Sequence, residues 1–440
     1  MLQRLFRLKE NGTDIRTEIV AGVTTFMTLS YIIFVQPTVL SACGMDFGAV
    51  LAATCVASAA ATFLMGLYAN YPIALAPGMG QNFFFTYTVV LQMGIAWEKA
   101  LGAVFISGVL FLVLSLFGFR EKLINGMPDS LKEAIAVGIG LFIAMIGFQW
   151  SGVVVASSGS IVGLGDMHSR PVLLSVFGIV VTIVLAAVRV RGALLWGILA
   201  TMLAGLPLGV VTYNGVLGRV PSLAPTLLKL DIPGAFDLGL ASVIFVFFFL
   251  ALFDSVGTLI GVSNQAGLLV NGKLPRAREA LAADAFGSVA GSVLGTSTVT
   301  AYVESAAGVS EGGRTGLANV VTGMLMLAGL FFYPLSRMIG DGYKMADGSR
   351  IYPVVAPALI VVGSMMLRNV RRIRWDDATE AIPAFLTMTI MPFAFSITEG
   401  IAFGFISYAL LKLVTGRGRE VHGLVYLFAV LFVLRYVFLQ

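Results

Sequence analysis

Two carboxylates stand in stretches of sequence that are otherwise apolar or built from small residues. Glu304 lies in "STVTAYVESAAGV" (297–309) and Asp254 in the middle of "FVFFFLALFDSVGTLIGV" (245–262). Desolvating an acid in such surroundings is costly, and the cost is relieved only by a hydrogen-bonding partner, a proton or a ligand. Both are therefore candidates to bind a polar ligand or to carry a proton. Asn82 follows "APGMG" (76–80), with Gln81 beside it, and Thr258 comes one helical turn after Asp254 on the same face. Phe83, Phe84, Phe253 and Tyr302 offer ring faces next to these groups. Structural roles compete at each position. Asp254 could be a neutral hydrogen-bonding residue between helices, and Glu304 or Asn82 could cap the helix that each begins. Asp284, in "LAADAFGSVAG", and Glu399, in "SITEG", read more simply as an interhelical bond and a helix start.

Other chemistries find little material. His168 and His422 lie in polar connections, and Cys43 and Cys55 sit among apolar or small residues. A disulfide framework, a metal centre or a bound cofactor is not expected, and no nucleophile stands beside a base as an enzyme would require. A channel would need repeated rings of polar ligands, which the sparse polar residues do not supply.

The elements that must hold these residues are membrane spans. Of 440 residues 58% are hydrophobic and 12% charged. Apolar blocks at 18–40, 48–68, 72–93, 97–118, 129–149, 171–188, 192–213, 240–263, 278–294, 296–310, 315–336, 352–367, 378–395 and 398–413 predict about fourteen spans, and an apolar tail covers 421–439. The polar, basic start "MLQRLFRLKENGTDIR" does not read as a removable signal peptide. With the N-terminus in the cytoplasm, about 20 of the 28 Lys and Arg fall on the inner side, among them Arg120, Lys122, Lys273, Lys412, Arg417 and the cluster "RNVRRIR". The net charge of +5 is then a topology signal and does not imply nucleic acid.

Two of these spans are interrupted at corresponding places, "YPIALAPGMGQNFFF" (71–85) and "STVTAYVESAAGV" (297–309). Each reads as a short extended piece followed by the start of a helix. Two segments earlier in each half, "EIVAGVTTFMTLSYIIF" (18–34) stands against "VIFVFFFLALFDSVGTL" (243–259). Seven spans per half invert the second copy relative to the first, and free backbone amides at the two half-helix starts would face a cavity near the bilayer midplane. Pro77 suits a first helical turn there, and Gly78 and Gly80 allow close approach.

"APGMGQNFFF", "LFDSVGTLIGVSNQAGLL", "GKLPRAREALAADAFGSVAGSVLGTSTVTAYVESAAGVSEGGRTGL" and "PAFLTMTIMPFAFSITEGIAFGFISY" resemble, nearly end to end, the purine permease branch of the nucleobase–cation symporter family, the AzgA-like guanine/hypoxanthine and adenine permeases. The resemblance implies an all-α polytopic protein of the cell membrane with a uracil-transporter-like fold of seven plus seven spans. Its core domain would comprise 18–118 and 240–336, its gate domain 119–239 and 337–416, with a cytoplasmic N-terminus at 1–17 and the tail at 417–440. It also implies proton symport of a purine base by an elevator-like motion, and a homodimer joined through the gate domains. By the resemblance Asp254 and Glu304 would hold the base, supported by Asn82. Gln81, Phe83, Thr258, Tyr302 and Ala301 stand beside them in this chain as further candidates to line the site, and Asp254 and Glu304 are the candidates to couple the proton. The family pattern has Leu and Ala where this chain has Gln81 and Phe83, which leaves the preferred purine open, hypoxanthine and guanine first and adenine second. Uracil or xanthine is the alternative substrate.

Overall fold

The computed structural model describes residues 2–116, 128–157, 159–236, 240–269, 274–345 and 348–438. Arg120, Lys122 and Lys273 lie outside the described residues. Among the described residues, eight helical segments, Ile15–Ser41 and Gly316–Gly340 among them, are long and apolar enough to cross a membrane. The first expected span is two helices, α1 (Ile15–Leu29) and α2 (Ile32–Ser41), interrupted at Ser30 and Tyr31. Within α2, Pro37 has no N–H to give the carbonyl of Ile33, and the Ser336 hydroxyl donates to that oxygen at 3.1 Å instead. Helix α3 (Phe47–Leu64) widens into π turns over Met65–Ala69 and stops at Asn70, whose left-handed backbone (φ 51°) ends it and whose Oδ1 accepts the Gly316 N–H at 2.7 Å.

The chain then forms strand β1 (Leu75–Pro77), the short helix α4 (Met79–Phe83) with a π-helical continuation to Gln92, and α5 (Trp97–Leu116). Helices α6 (Asp129–Trp150), α7 (Arg170–Ala187) and α8 (Ala193–Gly205) complete the first half, with a hairpin of β2 (Val154–Ala156) and β3 (Val162–Leu164) between α6 and α7. The second half repeats the plan. Helices α9 (Ala241–Gln265) and α10 (Ala277–Leu294) precede β4 (Val299–Ala301) and the short α11 (Ser305–Ser310). Helices α12 (Gly316–Ala328), α13 (Tyr333–Gly340), α14 (Ala356–Met366), α15 (Ala378–Phe393), α16 (Ile397–Val414) and α17 (Gly423–Phe438) follow. Two packing groups result. Helices α1 to α5 and α9 to α13 interlock through α1 with α12, α3 with α10 and α5 with α10. Helices α6, α7, α8, α14, α15 and α16 interlock through α6 with α14 and α15, and α7 with α8.

Both interrupted spans are as expected a strand followed by a half-helix. Strands β1 and β4 pair antiparallel, with Leu75 opposite Ala301 and Pro77 opposite Val299, the relation that an inverted second copy requires. Pro77 is not in a helical first turn. It closes the strand, and Gly78 caps the helix that begins at Met79. A two-stranded ribbon among helices leaves backbone groups on both outer edges, and side chains from the helices answer them. Thr62 accepts from the Leu75 N–H at 2.9 Å and donates to the Leu75 carbonyl at 3.0 Å, while Asn319 donates to the Ile73 carbonyl at 2.7 Å. On the other edge Asp284 accepts the Ala301 N–H at 2.8 Å and Ser288 donates to the Val299 carbonyl at 2.9 Å. Asp284 also accepts from the Ser255 hydroxyl of α9, so it is the interhelical bond anticipated for it.

One inner-side charge is placed differently from the expectation. Lys412 is 1% exposed and is no free topology signal: its Nζ lies 3.0 Å from Glu380 and 3.3 Å from Glu420. Arg417 pairs with Asp377 at 2.7 Å, and the Thr379 hydroxyl together with Arg417 holds the Asp377 carboxyl well below the usual carboxylate range. At the other end of α16, Glu399 pairs with Arg435 at 2.8 Å and accepts from the Tyr436 hydroxyl, which ties the end of α17 to the start of α16, while the Tyr426 hydroxyl donates to the Gly418 carbonyl in the turn beyond α16 at 2.9 Å.

Glu18, fully buried in α1, accepts the backbone N–H groups of Arg314 (2.8 Å), Thr315 (3.1 Å) and Ala318 (3.1 Å) at the start of α12. Those amides have no partner within their own helix, and a carboxylate there also meets the positive end of the helix dipole. Glu18→Ala strands three buried donors, a loss of about 2 to 4 kcal/mol. The variant is expected to unfold at a clearly lower temperature in detergent than the wild-type protein, with Glu18→Gln falling between them. Equal melting of Glu18→Ala and wild type would show that water or other groups replace the carboxylate.

Candidate functional site

The β1–β4 ribbon brings the ends of α4 and α11 to the same level, and α9 and the α1–α2 break flank them. Glu304 occupies the cap position of α11, yet its side chain makes no capping bond. Its Oε1 accepts the Tyr31 hydroxyl at 2.8 Å. Tyr31 reaches it because the first span is broken at Ser30 and Tyr31, and the Thr28 hydroxyl donates to the Glu304 carbonyl at 3.2 Å from the turn below. Tyr302, also buried, donates its hydroxyl to the Pro77 carbonyl at 2.5 Å, locking the two breaks together.

Asp254 sits in an unbroken 25-residue helix and is accessible, unlike the Phe and Leu around it. From it an open stripe runs toward the C-terminal end of α9: Gly257 and Gly261 have nothing within 4 Å of where a side chain would start, and Asn264 and Gln265 are exposed. Thr258, half-buried, lies on the same side. This face of Asp254, Gly257, Gly261, Asn264 and Gln265, which also carries the exposed Ile260, is more polar than the rest of a Phe- and Leu-rich helix and suits contact with water. Gln81 places its Nε2 3.5 Å from Asp254 Oδ2, a long contact.

The remaining expected residues are spread around this centre. Asn82 is fully buried and caps no helix. Its Oδ1 accepts from the Ser297 hydroxyl, Ser297 also accepts from Gln36 at 3.1 Å, and Asn82 Nδ2 has no protein partner. Phe83 is fully buried, with its ring stacked on Tyr87 at 5.9 Å and tilted against Trp150 at 6.3 Å, so it belongs to the contact with α6. Phe84 packs edge-on to Phe247, and Phe253 packs on Phe249. Ala301 lies in β4 with its N–H already committed to Asp284. The first amides of α11 are not free as expected: those of Ser305, Ala306 and Ala307 bond to the carbonyls of Tyr302, Val303 and Glu304. Gly78 and Gly80 do serve close approach, since a Cβ on Gly80 would stand 2.9 Å from Ile139 of α6 and one on Gly78 would stand 2.8 Å from Thr300. Tyr31 and Gln36 escape a reading of the sequence, because "LSYIIFVQP" carries no Gly at its break and both residues meet partners more than 250 positions away.

No Lys or Arg occurs in 17–98, 240–272 or 279–313, the segments that build this centre. It can therefore accept hydrogen bonds through two carboxylates and oppose stacked or neutral surfaces, but it has no cation to hold an anion.

The backbone arrangement is shared with solved transporters. The transmembrane domain of a cyanobacterial bicarbonate transporter, BicA, superposes with a TM-score of 0.63 over 88% of this chain and 96% of that one at 14% identity. SLC26A9 superposes with a TM-score of 0.65 over 91% of this chain and 66% of that one at 11% identity. These show the fold alone. In sequence, the chain is 52% identical over 441 positions to a permease of Methanocaldococcus jannaschii, with 100% of this chain and 99% of the relative covered. It is 47% identical to the adenine permease AdeP of Escherichia coli, covering 100% and 97%, and 46% identical to the guanine/hypoxanthine permease PbuG of Bacillus subtilis, covering 100% of both. Residues 16–403 match the permease family Xan_ur_permease, and with relatives of this similarity along the whole length, the chain belongs to that family.

Proposed function

We propose that this multi-pass membrane protein is a secondary active transporter that imports purine nucleobases, with hypoxanthine and guanine preferred and adenine next. The observation that carries the reading is the pair of carboxylates, Glu304 and Asp254, beside two broken spans in a region without Lys or Arg. A neutral planar base offers N–H donors to such acceptors and ring faces to aromatic side chains, and asks for no cation. Relatives named for adenine and for guanine/hypoxanthine support purine over uracil or xanthine. An enzyme would need a different constellation, and the broken helices favour alternating access over a continuous pore.

The group of α1 to α5 and α9 to α13 is the core that carries the substrate, and the group of α6 to α8 and α14 to α16 is the gate. The polar stripe from Asp254 runs to the end of α9 that the distribution of basic residues assigns to the cytoplasm in a cell-membrane protein with its N-terminus inside, and this exposure supports reading that end as the inner mouth of the site. The gate helices pair two copies into a homodimer. Radiolabelled uptake in a transport-deficient host should show hypoxanthine and guanine entering first and adenine competing less well. Uptake of uracil or xanthine alone would overturn the purine assignment.

Glu304 has one oxygen occupied by Tyr31 and one left for the base. In Glu304→Gln the amide oxygen can keep Tyr31, and its NH₂ then faces a donor of the base, costing about 2 to 4 kcal/mol, or roughly 30- to 1,000-fold in affinity. Uptake should nearly vanish at normal surface expression, and near-normal uptake would remove Glu304 from the site.

Asp254 has no basic partner and opens to water on the inner side, which suits a residue that exchanges the coupling proton. Asp254→Asn imitates its protonated form. In proteoliposomes it should bind purine and support exchange but fail to concentrate it against an imposed proton gradient. Accumulation by Asp254→Asn equal to wild type would assign the coupling proton elsewhere, with Glu304 tested next.

Core and gate meet at the ion pair of Arg191 with Glu311, 2.5 Å apart. If the core moves past the gate, cysteines at 191 and 311 joined by a bis-methanethiosulfonate, which links each thiol through a reducible disulfide, should stop transport, and reductant should restore it. Unimpaired transport by the linked protein would argue against an elevator motion.

A further inference from the structure

The geometry points to Gln81 as an internal stand-in for the substrate, whose carboxamide occupies the place of the base on Asp254 until a base displaces it. This rests on the nucleobase reading above and names the competitor built into that site. Gln81 is the third residue of α4 after the cap Gly78, the position from which an amide side chain can fold back over the first turn. It does so: its Oε1 lies so close to Gly78 that a Cβ on that residue would stand 1.9 Å from it. A capping bond is not the reason, because the Gly78 N–H already donates to the Thr298 carbonyl at 2.9 Å. Gln81 Oε1 is thus buried with no hydrogen-bond partner, in a side chain that is 2% exposed. Polar atoms so placed are uncommon, and each asks for an explanation.

The other end of the same amide supplies one. Nε2 points at Asp254 Oδ2, at a distance of 3.5 Å that is too long for a strong bond. A primary amide presents an N–H donor next to a carbonyl acceptor, the pair that a 6-oxopurine presents with N1–H beside its C6 carbonyl. Gln81 therefore offers Asp254 what the base would offer, in poorer geometry. A weak internal contact of this kind holds the base's place on the carboxylate in the empty carrier and yields when a better donor arrives. Since every base must displace the same amide, the effect on affinity is common to all of them.

The test uses full-length protein in proteoliposomes and the variants Gln81→Met and Gln81→Leu, which keep the bulk and remove the amide. With hypoxanthine, guanine and adenine as substrates, KM is expected to fall by about 3- to 10-fold in both variants, by the same factor for each base, with the maximal rate retained. Calorimetric binding to monodisperse protein in detergent should show the same fall in Kd, which guards against a folding defect in either variant. A rise in KM, or a change confined to one base, would make Gln81 a direct ligand and overturn the proposal. A loss of maximal rate with KM and Kd unmoved would make it structural and equally overturn it. Failure of the wild-type protein to carry any purine would instead remove the nucleobase reading on which it stands.

Discussion

A β-ribbon in the middle of a membrane protein has to satisfy both of its outer edges without water, and this requirement organises the molecule. The ribbon of residues 75–77 and 299–301 answers it with side chains from the neighbouring helices: Thr62 and Asn319 on one edge, Asp284 and Ser288 on the other. The helix just before each strand supplies groups in both halves, so the duplication carries its own solution to the edge problem. Asp284, an acid that could pass for a functional one, is used up in this way through Ala301 and Ser255.

With the edges satisfied, the ribbon can hold two half-helix starts at one level, and the groups left unsatisfied mark the candidate site. Glu304 keeps one oxygen beyond the Tyr31 bond, Asp254 faces an open polar stripe, and Asn82 Nδ2 and Gln81 Oε1 have no protein partner. A chain of Gln36, Ser297 and Asn82 backs the site from the first helix pair. The free amides expected at the start of α11 are bonded into its own first turn, so the polarity offered to a ligand comes from side chains more than from the helix end.

The charged residues outside this centre do mechanical work at the ends of helices. Glu18 closes the start of α12 with three backbone bonds, Lys412 and Glu380 bind α15 to α16, and Glu399 with Arg435 ties α17 alongside α16. The buried pair of Lys412 and Glu380 would lose strongly if one partner were removed, so it fixes the two helices it joins.

Much of this was legible from residue order alone. Most of the apolar runs coincide with observed helices, because a span must hide its backbone within a segment of set length whatever its neighbours are, but eight of the roughly fourteen expected spans are helical segments long and apolar enough to cross by themselves. The two interruptions at 71–85 and 297–309, and the two acids in apolar surroundings, were equally plain, since Gly and Pro break helices locally and a desolvated carboxylate is costly in any fold. The pairing of the breaks into a ribbon, the commitment of Asp284 and Ala301 to its edge, the burial of Phe83 and Lys412, and the reach of Tyr31 to Glu304 were decided by tertiary structure. Each depends on which groups meet across more than 200 residues or between adjacent helices, and a hydrogen bond or ion pair is a matter of a few tenths of an ångström that no periodicity encodes.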